Sequence, residues 1–266
     1  MLYLIGLGLS FKDLSVRSFE TIKKCSEVYL ENYTSASDFS IKQLEGLLKK
    51  KVQVLDRDQV EIVKPFLTRA KTRNVALLIY GDPLSATTHV EILQQAKKLK
   101  IGTQILHAPS ILTTVAETGL SLYKFGKTAS IPFWREHFKP ESFFDLYVQN
   151  QHNNAHTLFL LDLNPADSEF IHQTSKKKLA VSSPTSLEMM SVKQAIETLL
   201  TVAKKRKLKS FNEQTFCVAC SQLGTSKQII KSGTAKQLMT KRFGKPACLI
   251  VPANLAEYEE VALNVL

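Results

Sequence analysis

The chain has 266 residues, 44% of them hydrophobic, enough for two compact domains with a core each and too apolar for an intrinsically disordered protein. The 35 Lys and Arg against 24 Asp and Glu leave a net charge of +11, which points to a negatively charged partner or substrate without naming it. Met1-Leu-Tyr-Leu-Ile-Gly6 has no basic flank before it, Lys12-Asp13 cuts it short, and no later run reaches the roughly 20 apolar residues of a membrane span. The expectation is a soluble, cytoplasmic protein with no membrane contact.

In chain order, strand-like and helix-like segments alternate, which predicts helices packed on parallel or mixed sheets. Leu2 to Leu7 reads as a strand, and Ser15 caps a helix through about Lys24. Strand Glu27 to Asn32, helix Ile41 to Lys50 and strand Val52 to Leu55 follow, then a helical segment from about Gln59 to Lys71. Val75-Ala-Leu-Leu-Ile-Tyr80 is an unbroken apolar run of strand length, as a strand buried on both faces requires. After the turn at Gly81-Asp82-Pro83 come helix Val90 to Lys98, strand Thr103 to Leu106 and helix Ile111 to Thr118. The stretch from Gly119 to Gly126 has no clear period, so the junction falls there, dividing residues 1–122 from residues 123–266.

The second half repeats the alternation. Strands are predicted near Ala129 to Phe133, Thr157 to Leu161, Thr215 to Cys220 and Cys248 to Val251. Helices are predicted near Phe143 to Gln149, Val192 to Lys205, Thr234 to Arg242 and from Leu255 onward. Asn164 to Met189, with Ser175-Lys-Lys-Lys178 inside it, reads as a long mobile surface loop. The basic run Ala203 to Lys209 closes a helical pattern and reads as a solvated carboxy-terminal turn ahead of the alternative, a nucleic-acid patch. Cys217 and Cys220 have half the spacing of a zinc site, but three residues along a strand put them on opposite faces, and no second such pair exists. They read as small buried hydrophobes, with no metal expected.

Gly6-Leu7-Gly8 ends the first strand and invites comparison with a dinucleotide loop. The fingerprint wants a third glycine where Phe11 stands and a helix opening at once, whereas Asp13-Leu-Ser15 intervenes. Glu31 does end the second strand, where a ribose-binding acid would sit, so an oxidoreductase stays open at this point. Gly81-Asp82-Pro83-Leu84-Ser85-Ala86-Thr87-Thr88-His89 is more informative. Gly81 permits an unusual backbone angle and Pro83 stiffens the exit, so Asp82 is held at the carboxyl end of a central strand, the edge where open α/β sheets bind ligands. A carboxylate there can accept hydrogen bonds from a ribose or an amino group. Pro109-Ser110-Ile111 ends the neighbouring strand and faces the same crevice. No Ser/His/Asp order, paired-carboxylate motif or phosphate loop accompanies these residues. His89, His107 and His156 read as structural.

Leu2-Tyr-Leu-Ile-Gly-Leu-Gly-Leu9, Glu31-Asn-Tyr-Thr-Ser35, Gly81 to His89 and His107-Ala-Pro-Ser-Ile111 together resemble the diphthine synthases. The resemblance continues through Tyr123-Lys-Phe-Gly126, Phe133-Trp134, Pro140 to Asp145, Leu161-Asp162 and Met190-Ser-Val192, nearly the whole chain. It implies a tetrapyrrole methylase-like fold of two α/β domains, with S-adenosylmethionine in a cleft between them, and a homodimer. It implies repeated methylation of the 3-amino-3-carboxypropyl group on a histidine of translation elongation factor 2. Phe133-Trp134 and Pro140 to Asp145 are similar to the eukaryotic type, which adds a methyl ester to the trimethylated amine. Carried over position by position, the cofactor contacts fall on Leu9, Asp82, Ser110, Ile111 and Leu161, with Ser85 at a variable position. Leu223 stands where the family tends to have alanine and Cys248 where it tends to have histidine, so a contact there would be lost or made by backbone. An RNA or tetrapyrrole methyltransferase of the same fold, or a non-catalytic binder of the translation factor, would share the cofactor motifs.

Overall fold

The protein is described by a computed structural model covering residues 1–10, 12–33, 39–165 and 187–265. Contacts divide the chain into two compact units, one of Met1–Val115 with Gly224–Ser226 and one of Ala116–Leu223 with Lys227–Leu266. The first division thus falls at Val115 and Ala116, ahead of the expected boundary at 122, and a short return segment is counted with the first unit.

Unit 1 alternates strictly: β1 (Leu2–Gly6), α1 (Val16–Lys24), β2 (Glu27–Glu31), α2 (Ile41–Leu48), β3 (Gln53–Leu55), α3 (Pro65–Ala70), β4 (Val75–Ile79), α4 (Val90–Lys98), β5 (Thr103–Leu106) and α5 (Ile111–Thr114). The strands lie in the order β3-β2-β4-β1-β5 and every pairing is parallel. A parallel sheet needs a crossover between successive strands, and helices on both faces supply it. β4 shows the consequence. Val75, Leu77 and Ile79 join one buried cluster, Ala76 and Leu78 the other, so its apolar run feeds two cores. Each fully buried Leu or Ile there contributes roughly 1.5–3 kcal/mol. The helix starts follow from short polar residues. Ser15 accepts the amide of Ser18 at 3.1 Å, and Ser40 and Gln43 satisfy each other's backbone amides at 3.2 and 2.8 Å.

One predicted helix breaks in two. Gln59–Val63 forms a π-type turn, and α3 starts afresh at Pro65, because proline disfavours the α-helical region for the residue before it. Lys64 accordingly turns left-handed, with φ 49°. The predicted helix Ile111 to Thr118 likewise tightens into a 3-10 turn over Val115–Thr118.

Unit 2 carries β6 (Ala129–Ile131), α6 (Ser142–His152), β7 (Thr157–Leu161), β8 (Leu163–Pro165), β9 (Leu187–Met189), α7 (Val192–Lys205), β10 (Phe216–Ser221), β11 (Ile229–Thr234), α8 (Ala235–Met239), β12 (Ala247–Val251) and α9 (Glu257–Asn264). Its five-stranded sheet runs β11-β10-β12-β7-β6, antiparallel except for β6 with β7. Its core is aromatic: Tyr147 stacks edge-on against Phe144 and Phe211, with ring centroids 5.4 and 5.9 Å apart. Strand β11 was not foreseen. It lies at the sheet edge and is only partly buried, so the full apolar run of a central strand is missing. The expected loop Asn164 to Met189 needs correction at its ends, where β8 and β9 pair antiparallel; residues 166–186 of it lie outside the described residues. The basic run ends α7 as expected, but Arg206 also binds Glu141 at 2.7 Å and Asp145, so it tethers α6 as well as being solvated. Cys217 packs in the aromatic-rich core while Cys220, on the other face, faces Cys248 across β10 and β12. That contact first, and burial second, push the Cys220 thiol well up, leaving it protonated and inert.

Candidate functional site

Three strand ends of unit 1 converge at the carboxyl edge of the parallel sheet. Gly8 and Gly81 exchange backbone hydrogen bonds at 3.2 and 2.8 Å just beyond β1 and β4. Both have positive φ, 74° and 70°, which only glycine adopts without strain. Gly6 is fixed by crowding instead: a Cβ there would lie 2.6 Å from the Gly81 carbonyl and 2.8 Å from Ala108. At Gly81 the neighbours stand at ordinary van der Waals distance. A Cβ would come no nearer than 3.9 Å to the Pro109 carbonyl and 4.0 Å to Leu9 and the Ser110 backbone. The result is a small backbone cradle walled by Leu9, Pro109 and Ser110, with Gly224 close against Leu9.

Asp82 holds this edge together. It is 8% exposed, and its carboxylate accepts the Leu84 amide at 2.9 Å, the Ser85 hydroxyl at 3.3 Å, the Ala108 amide at 3.3 Å and His107 Nδ1 at 2.7 Å. Burial pushes this carboxyl up, but the bonds from Leu84, His107 and Ala108 outweigh it and hold it below the ordinary aspartate value. The acceptor capacity that the sequence suggested for a ligand is therefore spent on the protein, locking the end of β4 to the end of β5. Ser110 caps α5, its own amide donating to Thr113 Oγ1 at 3.2 Å, and Ile111 opens the helix beside it.

The loop after β1 closes differently from a dinucleotide loop. The Asp13 carboxylate accepts the amides of Leu9 and Ser10, both at 2.9 Å, and so occupies the donors a phosphate would need. Glu31 is wholly buried and accepts the Tyr33 amide at 2.6 Å rather than facing a ribose. These two observations overturn the oxidoreductase alternative. Asp13, which in the sequence only interrupts an apolar run, is the group that shapes the Leu9 backbone; its place soon after a Gly-x-Gly was the one available signal. His89 is buried, its Nδ1 donating to the Pro83 carbonyl at 3.1 Å, and Thr87 Oγ1 binds the same carbonyl.

The other expected contacts lie in unit 2. Leu161 ends β7, and Cys248 stands opposite Leu160 and Cys220 in register, so Leu161, Cys248 and, just past β10, Leu223 gather at one sheet edge. All are buried. Asp162, next to Leu161, accepts the Phe133 amide at 2.9 Å. Among the described residues no cluster of His, Cys, Asp or Glu could hold a metal ion, and no helix is long and apolar enough to cross a membrane.

Residues 1–239 match the model of the Tetrapyrrole (Corrin/Porphyrin) Methylases. The chain is 41% identical over 249 residues to the diphthine methyl ester synthase of Saccharomyces cerevisiae, covering 92% of this chain and 82% of that one. It is 39% identical over 252 residues to the human enzyme of the same name, covering 92% and 87%. Among solved structures, a chain from Entamoeba histolytica described as a diphthine synthase superposes with a TM-score of 0.87 at 36% identity, covering 100% of this chain and 97% of that one.

Proposed function

The chain belongs to the tetrapyrrole methylase family and is a methyltransferase of the diphthamide pathway, and we propose that it uses S-adenosylmethionine to methylate the 3-amino-3-carboxypropyl-histidine of elongation factor 2. The observation that carries the reading is the chain-long likeness to enzymes named diphthine methyl ester synthase. The backbone cradle at Gly81, flanked by apolar Leu9 and the start of α5, suits a cofactor gripped by main-chain groups and hydrophobic contact.

In this reading the cofactor contacts are Leu9, the Gly81-Asp82 backbone, Ser85, Ser110 and Ile111, together with Leu161, Leu223 and Cys248. Asp82 acts by fixing the turn, since its carboxylate is already engaged. Leu223 and Cys248, both buried, offer apolar contact. When bound, the cofactor supplies an electrophilic methyl group. The protein's part is alignment and exclusion of water. An amine with a pKa of about 8 is partly neutral near pH 7, so no essential base is needed. That agrees with His89 and His156, whose rings are buried and bound within the protein. We further infer a cytoplasmic homodimer, as the resemblance implies.

The test is incubation of the protein and S-adenosylmethionine with elongation factor 2, with and without the aminocarboxypropyl group, followed by mass spectrometry. Methyl increments on the modified factor alone support the reading, and an ester-linked methyl identifies the product as the methyl ester. No increment on either form overturns it.

A further inference from the structure

The amino edge of the parallel sheet, opposite the Gly81 cradle, is strongly basic. Parallel strands and antiparallel crossover helices bring every helix of unit 1 from α1 to α4 to this edge at its carboxyl end. Backbone bonds stitch the turns together: Ser26 to Asn74 at 2.9 Å, Val75 to Met1 at 2.9 Å and Leu2 to Gly102 at 2.8 Å, while Lys50 Nζ binds the Cys25 carbonyl. Lys23 and Lys24 end α1, and Lys49 to Lys51 follow α2. Arg69, Lys71 and Arg73 surround the end of α3, and Lys97, Lys98 and Lys100 the end of α4. All but Lys50 are exposed. The acids at this edge are Glu27, taken by Arg73 at 3.0 Å and Arg69 at 3.5 Å, and Glu45, taken by Lys51 at 3.2 Å.

Helix dipoles favour cations in the last turn. That accounts for Lys23, Lys24, Arg69, Lys97 and Lys98. It does not account for α2, which has no basic residue in its last turn yet is followed by three lysines, nor for Lys71, Arg73 and Lys100 in the turns beyond. We propose that this edge is a docking surface for the phosphate backbone of a duplex nucleic acid, separate from the methyl-transfer site.

The chemistry selects that partner. Five strands give an edge roughly 20 Å long, which spans about a dozen charges of a duplex at one per about 1.7 Å. Segments 23–26, 49–51, 69–74 and 97–102 contain no aromatic residue on which unpaired bases could stack. The exposed apolar side chains there are the half-exposed Leu99 and Met1, too little to insert into a membrane. Lysines outnumber arginines, so the surface offers point charges rather than bidentate readers of base edges, and binding is independent of sequence.

The test is fluorescence anisotropy of the full chain with labelled RNA and DNA duplexes, an unpaired strand and anionic phospholipid vesicles across a salt series. Binding to either duplex that weakens steeply with salt is expected, and the ratio of the two affinities says which duplex is preferred. Lys24→Glu/Lys71→Glu/Lys98→Glu should weaken it at least tenfold and flatten the salt slope by about three, while methyl transfer is unchanged. Lys209→Glu/Lys231→Glu/Lys241→Glu, the same charge change on unit 2, should leave duplex binding intact. Equal loss in both variants, no duplex binding at low salt, or tighter binding to the unpaired strand or the vesicles overturns the proposal.

Discussion

Two carboxylate–histidine pairs of nearly equal length do opposite work in this molecule. Asp82 meets His107 at 2.7 Å, and Glu259 meets His156 at 3.0 Å. The His107 side chain is 67% exposed, whereas His156 and Glu259 are wholly buried. In unit 2 the Ala253 amide donates to His156 Nδ1 at 3.0 Å, so Nε2 carries the proton and donates to Glu259. Glu259 also takes Lys124 Nζ at 2.6 Å and the amides of Ser121 and Ala256 at 2.9 and 2.8 Å. This network pins the carboxy-terminal helix α9 to the segment after Gly119, a structural task. The Asp82 network instead shapes an open strand edge. The pair chemistry is shared, and what water can reach decides its use.

The largest expected effect lies in the buried pair. Glu259→Ala strands Lys124 and His156 and should cost about 3–5 kcal/mol, read as a drop in the urea midpoint. An unchanged midpoint would break the contrast. The acid profile sharpens it next. Burial opposes ionisation of Glu259, yet the Ala256 amide, Lys124, His156 and the Ser121 amide hold its pKa down to about 2 from 4.5. A depressed carboxylate stabilises fully above its unfolded value and loses that stability as pH falls from 4.5 toward 2, a swing of about 3 kcal/mol. Burial also lowers the pKa of His156 despite Glu259, so its protonation on acidification acts in the same direction. Glu259→Gln should flatten the fall in melting temperature across that window.

At the open edge the balance reverses. Asp82→Asn should cost only about 1–3 kcal/mol in urea denaturation but weaken S-adenosylmethionine at least tenfold in calorimetry, because the turn loses its anchor to His107 and Ala108. Gly81→Ala forces a Cβ into the cradle at φ 70° and should cost about 1–2 kcal/mol while removing cofactor binding. His107→Ala, at an exposed pair, should change stability by less than about 1 kcal/mol. Were it to cost as much as Glu259→Ala, exposure would not be the deciding difference.

Much of this was legible in the chain. The run from Val75 to Tyr80 announced a strand buried on both faces, Ser15 marked a helix start, and Gly81-Asp82-Pro83 marked the turn at the carboxyl edge of the sheet. The edge strand β11 and the break at Lys64 were not, because partial burial and a single proline leave little trace in periodicity. Asp13 was passed over, since a carboxylate that closes its own loop looks in sequence like any surface acid.

The alternation of elements, the excess of positive charge and the family pattern can be read along the chain, since they depend on local period, composition and motif. It takes the folded chain to show that the Asp82 carboxylate is spent on its neighbours, that Asp13 fills the place of a phosphate, and that lysines from four separate turns form one edge. Each depends on contacts between residues far apart in the chain, and hydrogen-bond partners and burial are set by how strands register, not by the residues between them.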